Sequence, residues 1–334
     1  MKRPVFVAEI SANHLGSLSR AHDLIEAAAY AGADAVKLQT YTPESMTLDI
    51  PRFSVSKDHL LWGGISLFEL YKEAMTPWEW HDELFEHARK LGLEAFSSPF
   101  DNAAVDFLEK LGCPIYKIAS LETGDVDLIS YAASKGKRII ISTGASTLVE
   151  IQEAVDAAKN VRDQLTLLVC TSSYPAKAEH AHVRRLINLR EKFGVEVGLS
   201  DHTLGIGVSL AAITLGATVI EKHLTLKRSD RGHDAAFSLE PDEFKLLVNE
   251  GHNAYLALGK QEWSIQESEA ESRLLRRSLY IAKNVKKGEI ATRDNIKALR
   301  PNSGGPIFDL EKIIGKKFRN DYNSGDAATL DCVY

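Results

Sequence analysis

Two histidines and two lysines carry most of the chemical information in this sequence. His202 closes the run Val195-Glu196-Val197-Gly198-Leu199-Ser200-Asp201-His202, and His223 closes Ala217-Thr218-Val219-Ile220-Glu221-Lys222-His223. Each run is apolar and turns polar at its end, as a buried strand does on reaching a site. Between them, Val208, Leu210, Ala211, Ala212 and Leu215 follow helical spacing. A strand, a helix and a strand make a crossover whose strands lie parallel as neighbours. Both histidines then stand at the carboxyl ends of adjacent strands, beside Asp201 and Glu221. Neutral imidazoles and carboxylates sharing one space are ligands for a divalent metal. One histidine at a strand end is more often a hydrogen-bonded residue; a matched pair tips the balance towards a metal. Lys37 and Lys117 each lie between apolar neighbours, Val36 and Leu38, Tyr116 and Ile118. Ammonium groups so placed ask for an anion, and phosphate or carboxylate fits.

Such residues need a scaffold that gathers many strand ends. Residues 5–10, 35–39, 93–97, 115–119, 138–142 and 165–170 read as strands, together with the two histidine-bearing runs. Helical patterns follow over residues 19–31, 76–91, 102–111, 127–134, 147–159, 182–192, 205–216 and 241–259. Thr76-Pro77 reads as an N-cap with Pro at the first helical position. Residues 42–66, with Pro43, Pro51 and Gly63-Gly64, read as a long irregular loop of the kind that serves function. This alternation predicts an α/β fold, a (β/α)8 TIM barrel. A doubly wound open sheet is the rival, but it does not ask for polar residues at every strand end. Here those ends are Glu9, Lys37, Ser97-Ser98, Lys117 with Ser120, Ser142-Thr143, Thr171-Ser172, Ser200-Asp201-His202 and Glu221-Lys222-His223. A closed barrel converges them on one mouth.

The chain has 334 residues, 44 % hydrophobic and 26 % charged, with a formal net charge of -6. That balance gives no electrostatic case for nucleic acid. No apolar run reaches membrane-spanning length, and no signal peptide is expected before the first strand. Cys113, Cys170 and Cys332 have no metal or disulfide spacing, which points to a reducing cytoplasm. After Gly259 the composition turns strongly charged and then into short β-like runs. The expected division is a barrel over residues 1–262, a part-helical linker over 263–276, and a small β-rich domain over 277–334. A core that small is marginal alone and should dock on something.

Taken in order, these stretches resemble the sialic acid synthase family over essentially the whole chain. The resemblance rests on Ala8-Glu9-Ile10 with Asn13-His14-Gly16, Ala35-Val36-Lys37-Leu38-Gln39, Tyr116-Lys117-Ile118-Ala119-Ser120, Ser142-Thr143-Gly144, Cys170-Thr171-Ser172-Ser173-Tyr174-Pro175, Gly198-Leu199-Ser200-Asp201-His202-Thr203 and Glu221-Lys222-His223. It implies a TIM barrel followed by an antifreeze-like (SAF) domain, here from Arg276-Arg277-Ser278-Leu279 with Lys287-Gly288-Glu289. Residues 70–81 and the segments 228–230 and 234–241 are similar to the branch whose product is pseudaminic acid. One departure from the wider family is Ser172, where sialic acid synthases carry Asn; an amide donor is lost, though the pseudaminic acid branch shares the change.

The resemblance implies condensation of phosphoenolpyruvate with an open-chain amino sugar, giving a nonulosonic acid and phosphate. The sugar expected from the branch is 2,4-diacetamido-2,4,6-trideoxy-altrose, with the N-acetylneuraminate and legionaminate reactions as alternatives. By the same resemblance His202 and His223 hold the metal, Mn2+ before Mg2+ or Co2+. Lys37, Lys117, Ser120, Ser142, Ser172 and Ser200 hold phosphoenolpyruvate. Glu9 and Glu122 are the candidate general bases, Glu9 having a salt bridge to a mouth lysine as its other reading. Asp234 meets sugar hydroxyls, and Tyr174 is a wall of the site or a packing residue. Trp78 and Trp80 read as packing. Phe237 and Leu239 are candidates for an apolar pocket around the sugar's C6 methyl. The family also implies a homodimer with a domain-swapped C-terminal lid, in which Arg277, or Arg276, reaches the sugar in the other subunit. Two readings compete: another phosphoenolpyruvate aldolase, which would lack the SAF module, and a non-catalytic sugar- or ice-binding protein, which would have no use for both lysines and both histidines.

Overall fold

The computed structural model describes residues 2–57 and 61–334. Residues 58–60, part of the expected 42–66 loop, lie outside the described residues. The chain forms two compact units, Met1–Gly259 and Lys260–Tyr334.

In the first unit eight parallel strands close into a barrel in chain order. They are β1 (Val5–Glu9), β2 (Ala35–Thr40), β3 (Glu94–Pro99), β4 (Ile115–Ile118), β5 (Arg138–Ser142), β6 (Leu165–Cys170), β7 (Glu196–Asp201) and β8 (Val219–His223). β8 pairs with β1, which closes the ring and excludes an open sheet. The strands are buried on both faces, which is why they read as apolar runs rather than as clean alternation.

Helices cover the barrel: α1 (Leu18–Ala31), α2 (Pro43–Met46), α3 (Leu67–Ala74), α4 (His81–Lys90), α5 (Asn102–Lys110), α6 (Val126–Ser134), α7 (Leu148–Ala157), α8 (Arg185–Phe193), α9 (Gly207–Thr214) and α10 (Pro241–Ala257). Their starts are set by side chains that satisfy orphan amides: Ser17 accepts from Arg20, Asp101 from Ala104, Asp125 from Leu128, and Thr147 forms a capping box with Glu150. Phe6, Leu24, Ile25, Phe85, Ile129, Ile141 and Phe244 are among the side chains sealed between sheet and helices.

Two local expectations fail. Thr76 does not cap a helix: its buried hydroxyl lies 3.3 Å from His14 Nε2, and Pro77 is extended (φ -52, ψ 133). The helical path begins one residue later, as a 3-10 turn Trp78–Trp80 running into α4. The stretch expected to be irregular contains α2, and α3 follows it directly. α2 opens on a Thr42 and Ser45 capping box with Pro43 at its start.

The second unit carries α11 (Ala270–Leu274), an antiparallel pair β9 (Ser278–Ile281) and β10 (Ile296–Leu299), and α12 (Leu310–Ile313). Beyond that pair its β character consists of single bridges such as Val285 to Tyr322 and Phe318 to Val333. Its core is small: Leu279, Ile281, Val285, Ile296, Ile313 and Phe318 lead it. Gly305 lets two segments touch, since a Cβ there would lie 1.7 Å from the Ala328 carbonyl oxygen.

Candidate functional site

Barrel closure gives each strand-end residue a fixed neighbour. Glu9 is in register with Lys37 on β2 and with His223 on β8, and Ser200 is in register with Glu221. Glu9 therefore meets the Lys37 ammonium as a buried ion pair. Glu221 Oε1 lies 3.5 Å from Lys117 Nζ and 3.9 Å from Lys37 Nζ, and it accepts from Ser200 Oγ at 3.0 Å. Lys37 Nζ also donates to Ser98 Oγ at 3.3 Å. Both lysines expected to hold an anion are thus in one buried cluster, and Glu9 makes the salt bridge that was its other reading.

The cluster is electrostatically unbalanced. Glu9, Glu221 and Asp234 are three carboxyl groups; Lys37 and Lys117 are two ammonium groups. Burial pushes Glu9 up to about 7, with Lys37 opposing and Glu221 adding to the rise. Burial also disfavours charge on Glu221, but Lys117 and Lys37 outweigh it and hold that carboxyl below its ordinary value. For Lys37, Glu221 and Glu9 outweigh burial and raise its pKa; for Lys117, burial wins and lowers it. An incoming anion would relieve Lys117 and compete with carboxylates for Lys37.

A second feature adjoins it at Gly144. A Cβ there would lie 2.3 Å from Ser172 Oγ, 2.8 Å from Ser120 Oγ and 3.2 Å from Cys170 Sγ. The Gly144 amide donates to Ser120 Oγ at 3.1 Å. Three side chains close on a bare backbone, leaving a small cradle lined by donors. Ser142 Oγ is buried without a hydrogen-bond partner among the described residues. Buried polar groups are normally satisfied, so an orphan hydroxyl at a strand end points to a missing ligand.

His202 and His223 come together as expected, ring centroids 5.3 Å apart. His202 Nδ1 donates to the Thr171 carbonyl at 3.1 Å, which leaves Nε2 as the nitrogen that could meet a metal. Burial disfavours charge on this ring, but Cys170, the Thr171 carbonyl and Glu221 outweigh it and raise its pKa, so a metal would have to displace a proton there. His223 Nδ1 is buried and has no hydrogen-bond partner among the described residues; Asp234 Oδ2 stands 3.7 Å away. Burial and the nearby cations hold His223 well below its ordinary pKa, so it is the neutral imidazole a metal requires. Tyr174 packs against His202 and Phe237 against His223, at 4.6 and 4.9 Å. Among the described residues no group of three or more His, Cys, Asp or Glu is arranged to hold a metal. What fits an ion here is the pair of imidazoles with the unpartnered His223 nitrogen, so any such ion would take its other ligands elsewhere.

Asp201 is not in this site. Side chains alternate along β7, so with Ser200 at the mouth cluster Asp201 faces outward. There it accepts from Lys222 Nζ at 2.9 Å, Ser209 Oγ at 2.7 Å, and both the amide and hydroxyl of Thr203. Of the two carboxylates expected beside the histidines, Glu221 alone shares their side of the barrel wall.

Beside the histidine pair opens a cavity of about 430 Å³. Ser11, Gln39, Glu122, His223 and Asp234 line its polar side; Tyr41, Trp62, Leu70, Tyr71, Phe100 and Phe237 are among those lining the rest. Tyr174 is a wall of this cavity, as well as a packing residue. Glu122 is half-buried, its Oε2 is buried without a hydrogen-bond partner among the described residues, and burial pushes its carboxyl up to about 7 against the pull of Lys117. Burial likewise raises Asp234, against hydrogen bonds from Ser11 and Ala12. Leu239 is not at the cavity: it is a core residue whose amide donates to the His223 carbonyl at 2.9 Å. Trp78 stacks on Phe107 at 4.6 Å and Trp80 meets His14 edge-on, so both are packing. Arg276 and Arg277 are exposed residues of the second unit, just before β9.

Sequence reasoning missed Ser11, Gln39, Trp62, Gly144 and the central place of Glu221. Gln39 was within reach, since it lies two residues past Lys37 on one strand and so shares its face. Ser11 and Trp62 gave no such signal.

Comparison with known proteins gives matches over nearly the whole chain. Residues 24–263 match the NeuB family, and residues 276–333 match the SAF domain. The pseudaminic acid synthase of Helicobacter pylori is 46 % identical over 95 % of this chain and 94 % of its own length. The N,N'-diacetyllegionaminic acid synthase of Campylobacter jejuni is 36 % identical over 98 % of this chain and 99 % of its own. The crystal structure of N-acetylneuraminic acid synthetase from Leptospira borgpetersenii, in complex with citrate, superposes with a TM-score of 0.71 at 34 % identity, covering 80 % of this chain and 90 % of that one. With matches of this length and identity, the chain belongs to the NeuB family and carries a SAF domain after its barrel.

Proposed function

We propose that this chain is a pseudaminic acid synthase, joining phosphoenolpyruvate to 2,4-diacetamido-2,4,6-trideoxy-altrose with release of phosphate. The observation that carries the reading is the 46 % identity to a pseudaminic acid synthase along 95 % of the chain, against 36 % to a legionaminic acid synthase. The apolar share of the cavity wall supports it, because a 6-deoxy sugar with two acetamido methyls needs such a wall.

Three events must be served. Phosphoenolpyruvate C3 attacks the aldehyde carbon, water adds at C2, and the C2–O bond to phosphate breaks to leave a ketone. The two protons of that water finish on the new hydroxyl and on the released phosphate. Lys37 and Lys117, with Ser120, Ser142, Ser172 and Ser200, receive the phosphate and carboxylate of phosphoenolpyruvate and stabilise the charge that grows as phosphate departs. Glu122 takes a proton from the attacking water, since its free oxygen and near-neutral pKa suit a base. Glu9 is the other candidate base, held by Lys37. Asp234 accepts from sugar hydroxyls. A divalent ion, Mn2+ in our reading with Mg2+ or Co2+ as alternatives, held by His202 and His223 supplies Lewis-acid polarisation of the aldehyde when bound.

We also place the enzyme in the cytoplasm as a homodimer, the SAF domain of each chain lying over the barrel mouth of its partner with Arg277 towards the sugar. The three cysteines, all free and buried, suit a reducing compartment. The test of the activity is phosphate release from phosphoenolpyruvate with Mn2+ and each of three sugars. The altrose derivative should give the highest kcat/KM. A higher value with its 2,4-diacetamido mannose isomer or with N-acetylmannosamine assigns the chain to another branch, and no release with any sugar ends the enzymatic reading.

A further inference from the structure

Ser11 is a side-chain-bearing residue in a backbone conformation that favours glycine. Its φ is +37°, in the left-handed region, at the start of a 3-10 turn, Ser11–His14, just past β1. It is 3 % exposed and lines the cavity. Its polar atoms reach three separate elements. The Ser11 amide donates to Glu9 Oε1 at 2.8 Å. Its hydroxyl oxygen accepts from Gln39 Nε2 of β2 at 2.9 Å, and the hydroxyl proton goes to Asp234 Oδ2, in the segment between β8 and α10. The next amide, Ala12, also bonds Asp234. Glycine would take this backbone freely and would keep both amides, so the strain is explained only by the hydroxyl.

We propose that Ser11 is a positioning residue that fixes the rotation of the Asp234 carboxylate towards the sugar. Gln39 occupies an acceptor site on the hydroxyl and so commits its proton to Asp234. Without that proton only the Ala12 amide holds the carboxylate, which can then turn towards His223 Nδ1, 3.7 Å away. The turn at Ser11 simultaneously aims its amide at Glu9, so one residue ties the sugar side of the site to the Glu9–Lys37 pair. The assignment rests on Asp234 meeting the sugar, as proposed above.

The test compares Ser11→Gly, Ser11→Ala, Asp234→Ala and the Ser11→Ala/Asp234→Ala double variant in the full-length enzyme with Mn2+. Apparent KM is measured separately for the altrose derivative and for phosphoenolpyruvate, alongside thermal melts. Each Ser11 variant should raise the sugar KM roughly tenfold, as loss of a hydrogen bond to a charged group does. The phosphoenolpyruvate KM should stay within about twofold, because the Glu9 contact is made by the amide, which both variants keep. Ser11→Gly should melt no lower than the parent, since it releases the left-handed strain, and this separates loss of function from loss of fold. In the double variant the sugar KM should match that of Asp234→Ala alone within about twofold. A parental sugar KM in Ser11→Gly overturns the proposal, and so do losses that multiply in the double variant. If Asp234→Ala itself leaves the sugar KM unchanged, Asp234 is not at the sugar, and the site reading fails visibly before the Ser11 assignment falls with it.

Discussion

At the scale of single residues, the mouth is built from groups that fold at a cost and repay it when ligands arrive. Lys117 is held below its ordinary pKa chiefly by burial, so a bound anion should restore its charge fully. Lys117→Ala is expected to lower kcat/KM for phosphoenolpyruvate by a factor corresponding to about 2–3 kcal/mol, the worth of a charge-assisted contact. Steady-state kinetics at fixed sugar check this, and parental values would remove Lys117 from the anion site. Glu122 yields a prediction with a definite sign. Its carboxyl rises from 4.5 to about 7 on folding, so the native state binds the proton more tightly than the unfolded chain. That contribution is favourable up to the ordinary value, fades as pH rises between 4.5 and 7, and is absent above it. Glu122→Gln should therefore be more stable than the parent at pH 8, by about 1–2 kcal/mol after allowing for partial exposure, with the gap closing towards pH 5. Thermal melts at the two pH values measure it, and a gap that widens on acidification would contradict the sign. Phosphate release by the same variant should fall, which is the trade a buried base makes.

At the scale of elements, the Asp201 and Lys222 pair explains how two strand ends hold their histidines at a fixed spacing. Asp201 on β7 is in register with Lys222 on β8, and each precedes a histidine. The pair is sealed outside the barrel with Ser209 of α9, so strand, strand and helix share one buried contact. Removing one partner strands a charge. Asp201→Asn is expected to cost about 3–5 kcal/mol in a denaturant titration, while Asp201→Asn/Lys222→Met should cost less than the sum of the two single changes. Additive losses would show that the pair is not coupled. A Mn2+ titration of the folded Asp201→Asn variant should also weaken, because the β7 and β8 ends are then less rigidly spaced. α3 contributes Leu67, Leu70, Tyr71 and Ala74 to the cavity wall.

At the scale of the whole molecule, the small second unit needs a reason to persist. Its core is ten buried residues around a two-stranded sheet, small for robust independence. A lid acting on a partner's barrel would supply the missing burial and exclude water from the reacting carbon. The prediction is complementation in mixed dimers. Arg277→Ala and His202→Ala chains, each inactive, should regain part of the phosphate release when combined, because one site then has an intact barrel and an intact lid. A dead mixture with heterodimers present in native mass spectra would place the lid in cis or remove Arg277 from it.

The sequence by itself determined the barrel, the order of its strands and several of the strand-end residues that gather at its mouth, Lys37, Lys117, His202 and His223 among them. Each of those is written locally: apolar runs of strand length, caps at helix starts, and polar residues where the runs end. Strand alternation also contained the exclusion of Asp201, since it lies between Ser200 and His202, which face the other way. Tertiary structure decided what depends on partners far along the chain. Ser11 and Asp234 are 223 positions apart, and no pattern near either one announces the contact or the left-handed turn that permits it. Gly144 becomes a cradle only because Ser120 and Ser172 arrive from neighbouring strand ends. Thr76 has the local credentials of an N-cap, yet His14 takes its hydroxyl from 62 positions away. Local preferences are worth about 1 kcal/mol each, and a buried hydrogen bond made through barrel closure outweighs them.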